Sequence, residues 1–379
     1  MWPYGLWVQM AVVASCATLI AVAAVGRRRV EPRLSLTHLL PVALQGVLYL
    51  YWGLYCDEPR NFLFTLAWQV PVAYGLDAAF SLWRHRTWRL SFGPIPALMS
   101  AGLFVQYAAA DSMWTLALII AAMWARGLPP GLRVNPSAFG LCAVGLADLL
   151  TGEGGRGDVA NLLVVPPNLA ELVLIVGLVA QIRLRIVLVS AGAFAAVLGC
   201  NMLFQANFSP LFAPILLAIV LFVTDPATAP RHPLAQLVSG ALYGTLMTIF
   251  ALWMTSAGYA DIYSKVLPVP IVNWAAPWLD RWAQRRRPLE RLSQRANVAH
   301  VVIWLLLVGA VLWRFDKAEM MDRDKMRALQ PPHYRDHPRP CLANPLYCES
   351  FSFLREARCW SGRPDCHPRL KSRDMGKAP

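Results

Sequence analysis

Apolar residues fall along the chain in twelve long runs, at about 5–25, 37–55, 62–83, 91–107, 112–125, 137–150, 169–182, 186–204, 211–223, 234–255, 266–280 and 298–313. A helix needs about 20 such residues to cross a bilayer. The runs are continuous and lack the apolar/polar alternation, over about 10 residues, of a membrane β-barrel strand. The pattern predicts an all-α polytopic membrane protein with about twelve transmembrane helices. Several runs are short or broken by proline, and the chain has 29 prolines. Broken backbone at membrane depth is tolerated only where neighbouring protein or a cavity satisfies it.

Composition narrows the class. Of 379 residues, 57% are hydrophobic and 15% are charged, against roughly 25% charged in an average soluble domain. A water-soluble globule is excluded, and so is a disordered chain, which needs low hydrophobicity. The first run has no basic segment before it and Arg27, Arg28 and Arg29 after it. It reads as an anchored helix rather than a cleaved signal.

Charge orients the helices. Eighteen basic residues, from Arg27 through Arg84, Arg126 and Arg231 to Arg295, fall in loops on one side, and only Arg60, Arg156 and Lys265 on the other. Basic loops stay cytoplasmic, so both termini are expected outside the cytoplasm of a bacterial-type inner membrane. The other fourteen basic residues lie from Arg314 onward. The net charge of +13 thus follows from topology and tail. Nucleic acid is not an expected partner, because no basic patch is interleaved with aromatics.

Short motifs suggest an internal repeat. The fourth run opens Phe92-Gly93-Pro94-Ile95-Pro96-Ala97 and the ninth Phe208-Ser209-Pro210-Leu211-Phe212-Ala213. The sixth opens Val134-Asn135-Pro136-Ser137-Ala138, and the eleventh contains Val272-Asn273-Trp274-Ala275-Ala276. The members of each pair enter from opposite sides. Runs two to six and seven to eleven then form two inverted halves of five helices, the arrangement that transporter folds build from broken helices. Runs one and twelve are additions. The expected organisation is an anchor helix at 1–34, a repeat core at 35–285, a last helix at 286–315 and a tail at 316–379.

Four segments stand out as candidate sites: Asn135, Pro136, Phe139 and Gly140 in the sixth run, Asn207 and Ser209 before the ninth, Thr224 and Asp225 after it, and Asn273 with Asp280 in the eleventh. Asx-Pro at a helix end is an ordinary cap and kink. The alternative is that opened helix ends aim backbone dipoles at an anion or an ion. Asp77 and Asp148 lie inside runs, and intramembrane acids are candidate ion-path residues. Asp77 sits about two turns before Arg84.

The segments N-P-S-A-F-G, F-V-T-D-P-A-T-A-P and V-N-W-A-A-P-W-L-D, with Gly240 to Gly244 between the last two, resemble a membrane-subunit family. That family is shared by two respiratory assemblies, the sodium-pumping NADH:quinone oxidoreductase and the Rnf complex. The resemblance covers about 35–285. It implies ten helices in two inverted halves, bound flavin, and electron transfer coupled to sodium or proton movement. Members with covalent FMN carry it on the threonine of an S-G-A-T motif. The corresponding stretch here, 157–168, has no serine or threonine. Covalent FMN is therefore not expected, while non-covalent FMN, riboflavin or quinone is. Haem is not expected either, because His38, His85, His232 and His300 form no obvious pair at membrane depth. The implied role is an integral membrane subunit of an electron-transfer complex. A cofactor-free anchor, or an ion or solute transporter on the same fold, are the alternatives.

The tail carries Cys341, Cys348, Cys359 and Cys366. Four cysteines in a short segment suit two disulfides in an oxidising compartment, with three pairings open. Zinc prefers shorter spacings. Phe351, Phe353, Leu354 and Trp360 lie among them, which suits docking of an extracytoplasmic partner.

Overall fold

The computed structural model describes residues 6–25, 30–32, 39–54, 57–107, 112–129, 132–151, 169–184, 186–204, 213–225, 227–257, 259, 262–285, 298–299, 301–306 and 309. Twelve α-helices follow in order among them: α1 Leu6–Val25, α2 Leu40–Trp52, α3 Asp57–His85, α4 Pro94–Gly102, α5 Ser112–Arg126, α6 Pro136–Thr151, α7 Leu169–Leu184, α8 Val187–Phe204, α9 Ala213–Leu217, α10 Pro233–Ala257, α11 Ile262–Val266 and α12 Pro268–Gln284. A π-helical turn, Ala218–Phe222, continues α9. Residues 298–299 and 301–306 are helical as well. The chain divides into two units, Met1–Leu329 and Gln330–Pro379. The four tail cysteines fall outside the described residues, as do Asn207 and Ser209.

The all-α expectation holds, but the helices are not twelve uniform crossings. Among the described residues, Val187–Phe204 and Pro233–Met254 are long and apolar enough to cross a membrane. Trp7–Val22, Leu40–Trp52, Ser112–Arg126, Pro136–Thr151 and Glu171–Ala180 are apolar but shorter. The fourth run yields only a nine-residue helix behind Gly93-Pro94. The eleventh is cut at Leu267 by the Pro268 and Pro270 that open α12. Proline suits a first helical turn and cannot continue a preceding one.

A small feature was not foreseen. Val30–Pro32 (β1) and Trp88–Leu90 (β2) pair in parallel, Val30 opposite Trp88. They follow α1 and α3, so the C-terminal ends of those helices lie together. The C-terminus of α5 joins them, since Arg84 donates to the Gly127 carbonyl at 2.8 Å.

Helix contacts repeat in the same order along the chain. α2 packs on α4, α3 on α4 and α5, and α5 on α6. Five helices later, α7 packs on α9, α8 on the π turn and α10, and α10 on α11 and α12. Between these sets, α2 meets α7 and α6 meets α11 and α12. Phe104, just past α4, meets Phe222 at 4.6 Å between ring centroids.

The backbones of α8 and α10 approach closely at glycines on both helices. A Cβ on Gly240 would collide with the Val189 carbonyl oxygen, and one on Gly192 with the Leu237 carbonyl. Small residues let two backbones approach this closely. Gly240→Val is expected to force α8 and α10 apart at a cost of about 1–3 kcal/mol, as overpacking does. Thermal unfolding in detergent checks this. An unchanged midpoint would mean that the helices do not touch there.

Candidate functional site

The sixth helix begins at a polar junction. Asn135 precedes α6, and its Oδ1 accepts from the Ser137 hydroxyl at 2.6 Å and the Ala138 N–H at 3.3 Å. This is an N-cap, with Pro136 in the first turn. The other polar atoms of Asn135 reach further along the chain. Its backbone N–H donates to Asn273 Oδ1 on α12 at 2.8 Å, and its Nδ2 donates to the Phe222 carbonyl at 3.1 Å. Asn135, Ser137 and Asn273 are all buried. The two asparagines whose flanking sequences match are therefore in direct contact, and the end of the π turn joins them.

The π turn is held along its length. Val223 N–H reaches back five residues to the Ala218 carbonyl at 2.9 Å. Ser190 of α8 donates to the Ile219 carbonyl at 3.2 Å, and Thr224 donates to the Val220 carbonyl at 2.6 Å. Asp225 then folds onto its own loop. Its Oδ1 accepts the Ala227 N–H at 3.0 Å and its Oδ2 the Thr228 hydroxyl at 3.4 Å. Burial pushes the Asp225 carboxyl up, while these two donors and the nearby Arg126 guanidinium pull it down.

Arg126 is the centre of a second cluster. Its Nε lies 2.9 Å from Asp77 Oδ1, and its Nη2 donates to Ser91 Oγ at 3.2 Å. The Trp88 indole N–H donates to Asp77 Oδ2 at 3.0 Å. A Cβ on Gly93 would strike the Arg126 guanidinium, so the glycine before α4 makes room for this charge. Asp77 is buried. Arg84, its neighbour along the helix, instead bonds Gly127 and lies 5.9 Å over the Trp124 ring.

Asp148 lies near the other end of α6. Tyr263 of α11 donates its hydroxyl to Asp148 Oδ2, and Gly145 leaves space for the Tyr263 ring. Lys265 is also buried, and its carbonyl accepts from Tyr243 at 2.9 Å. Cys142 donates to the Val266 carbonyl at 3.4 Å. Cys142 and Cys200 are buried and free rather than joined. Asp280 caps α10 from outside, accepting the Arg231 and His232 N–H groups at 2.9 Å.

The candidate residues thus separate. Asn135 and Asn273 meet, and Thr224 and Asp225 follow the π turn after Val223. Phe139 and Gly140 face α5: Phe139 lies 5.5 Å from Trp124, and a Cβ on Gly140 would come within 2.8 Å of the Leu118 carbonyl. Asp77 and Asp148 sit in separate clusters. Sequence reading missed Ser190, Phe222 and Tyr263, and gave Arg126 no role beyond its charge. The signal for Arg126 was a lone arginine closing an apolar run. Ser190 gave none.

Flavin and quinone can be tested against these atoms. The Asn135 amide is committed on both sides, to the α6 cap and to Phe222, and the Asp225 carboxylate bonds its own turn. These bonds use one of the two Nδ2 protons of Asn135 and one acceptor site on each Asp225 oxygen. Among the described residues, no group of three histidine, cysteine or acidic side chains is placed to hold a metal. No family model matches the chain, and no solved structure matches it.

Proposed function

We propose that this chain is the integral membrane subunit of a multi-protein electron-transfer complex, built as two inverted halves of five helices. The electron-transfer part of the reading rests on the resemblance of the N-P-S-A-F-G, T-D-P and V-N-W segments, and the observation that carries its two-halved architecture is the Asn135–Asn273 contact. Two segments matched by sequence, one in each half, hydrogen-bond each other. The recurring contact order α2 to α6 and α7 to α12 supports the same symmetry. The membrane reading draws on large apolar side chains left on the surface, such as Leu150 at 87% and Trp83 at 75% exposure. Exposed apolar area of this kind marks lipid or partner contact.

On this reading the junction is a mechanical tie between halves. A cofactor-free anchor subunit is the second reading, favoured by the internal hydrogen bonding of Asn135 and Asp225. Gentle purification followed by acid precipitation separates the two. Flavin released to the supernatant, or bound quinone extracted by solvent, supports an electron-carrying subunit. Colourless protein that co-purifies with other subunits supports the anchor. Flavin fixed to the pellet would contradict the missing attachment threonine. A colourless protein that purifies alone would contradict both subunit readings.

A further inference from the structure

One side of α12 carries a line of exposed side chains. Ile271, Trp274, Trp278, Arg281 and Arg285 recur at three- and four-residue spacing, and all five are exposed. That spacing stacks them on one face of a helix. The opposite face is buried, with Leu279 and Ala283 packed on Ala235 of α10. The line is apolar where it starts and cationic where it ends. Trp274 is 54% and Trp278 60% exposed, a large apolar area to leave uncovered one turn from two charges. Arg281 Nε donates to the Pro277 carbonyl at 3.3 Å, which lays its stem back along the helix. The adjacent acid, Asp280, is engaged by the Arg231 and His232 N–H groups. Among the described residues, neither Arg281 nor Arg285 has a carboxylate partner. In the sequence Arg285 is followed by Arg286, Arg287, Arg291 and Arg295, against one acid, Glu290.

We propose that this line binds an acidic phospholipid of the cytoplasmic leaflet, with the phosphate between Arg281 and Arg285 and an acyl chain along Trp278, Trp274 and Ile271. The proposal rests on the membrane reading above and is independent of whether the chain carries electrons. A guanidinium fork matches the oxygens of a phosphate. Tryptophan settles at headgroup level, where its ring is half in hydrocarbon and its N–H meets water. Basic clusters directly cytoplasmic of a membrane helix draw acidic lipids. The helix dipole alone favours cations in a last turn, but it gives no reason for two tryptophans in register with them. An acidic protein would meet the arginines and leave the apolar half of the line uncovered. A lipid covers both halves with one molecule.

The test is native mass spectrometry of the full-length protein in detergent, titrated with dioleoyl phosphatidylglycerol and with dioleoyl phosphatidylcholine, which carry the same chains under an anionic and a net-neutral headgroup. The parent should bind its first phosphatidylglycerol more tightly than its first phosphatidylcholine. An arginine near the surface adds about fivefold in affinity for anionic lipid, so Arg281→Gln/Arg285→Gln should weaken phosphatidylglycerol about 25-fold and leave phosphatidylcholine unchanged. Trp278→Ala should weaken both lipids alike. Arg86→Gln/Arg133→Gln removes the same charge from exposed arginines off α12, and should leave the first phosphatidylglycerol unchanged. Equal losses in the two arginine pairs would reduce the effect to net charge and overturn the proposal. Equal affinity of the parent for both lipids would overturn it too, and leave the membrane reading standing. A parent that binds neither lipid and stays soluble without detergent would overturn the membrane reading itself. Unchanged lipid preference in Arg281→Gln/Arg285→Gln, with loss of an acidic subunit from the purified complex, would assign the line to a protein partner instead.

Discussion

Arg126→Ala is expected to destabilise the folded chain by about 3–5 kcal/mol, because it strands a buried charge. The Asp77 side chain is 5% exposed and that of Arg126 is 21% exposed, at 2.9 Å. Without Arg126, Asp77 keeps the Trp88 indole N–H, one neutral donor for a full negative charge. Two adjustments could soften the loss, protonation of the carboxyl or entry of water, and both cost free energy. The double variant Asp77→Asn/Arg126→Gln removes both charges and should recover most of the loss, since removing a whole pair is far milder than removing one partner. Heat unfolding in detergent, followed by tryptophan fluorescence across the four-member cycle, gives the coupling. If α3 and α5 are held by apolar packing alone, through Val72, Ile119 and Met123, the single variant will cost under about 1 kcal/mol.

Asn135→Ala is the second large effect, expected at about 2–4 kcal/mol. It removes an N-cap worth about 1 kcal/mol. It also leaves the buried Phe222 carbonyl without its Nδ2 donor, at about 1–3 kcal/mol. Asn135→Ser restores an oxygen that can cap α6 but not the bond to Phe222, so it should recover about 1 kcal/mol of the loss. Asn273→Ala leaves only the Asn135 N–H unmet and should cost less than Asn135→Ala. The same unfolding measurement ranks the three. A loss for Asn135→Ala no larger than an ordinary cap would mean that the bond from Nδ2 to the Phe222 carbonyl contributes nothing.

Much of the fold was legible because helix position follows apolar run length. The helices fall where the runs do, and Gly93-Pro94 and Pro268 end or open elements where proline must. The likeness of the Val134-Asn135 and Val272-Asn273 segments was legible, but their contact was not, since Asn135 stands before α6 and Asn273 inside α12. The three-residue strands were not. They arise because two loop segments run side by side after α1 and α3, and nothing in a local pattern encodes that. The partner of Asp77 was also hidden. Along the chain the near cation is Arg84, but that side chain turns to Gly127 and Trp124, and Arg126 arrives from α5. Local spacing cannot distinguish a neighbour on one helix from one brought by packing. The π turn depends on Ser190, a residue with no motif around it. Asn135 caps α6 and bonds Asn273, and Asp225 bonds its own turn, as the capping reading allowed.

The most direct test of the inverted repeat is membrane sidedness at four loops, read with compartment-specific reporter fusions after Leu54, Gly127, Pro230 and Tyr259. The Gly127 and Pro230 fusions should report the cytoplasm, and the Leu54 and Tyr259 fusions the outside. Gly127 and Pro230 on opposite sides of the membrane, or all four fusions soluble in the cytoplasm, would contradict the inverted membrane repeat.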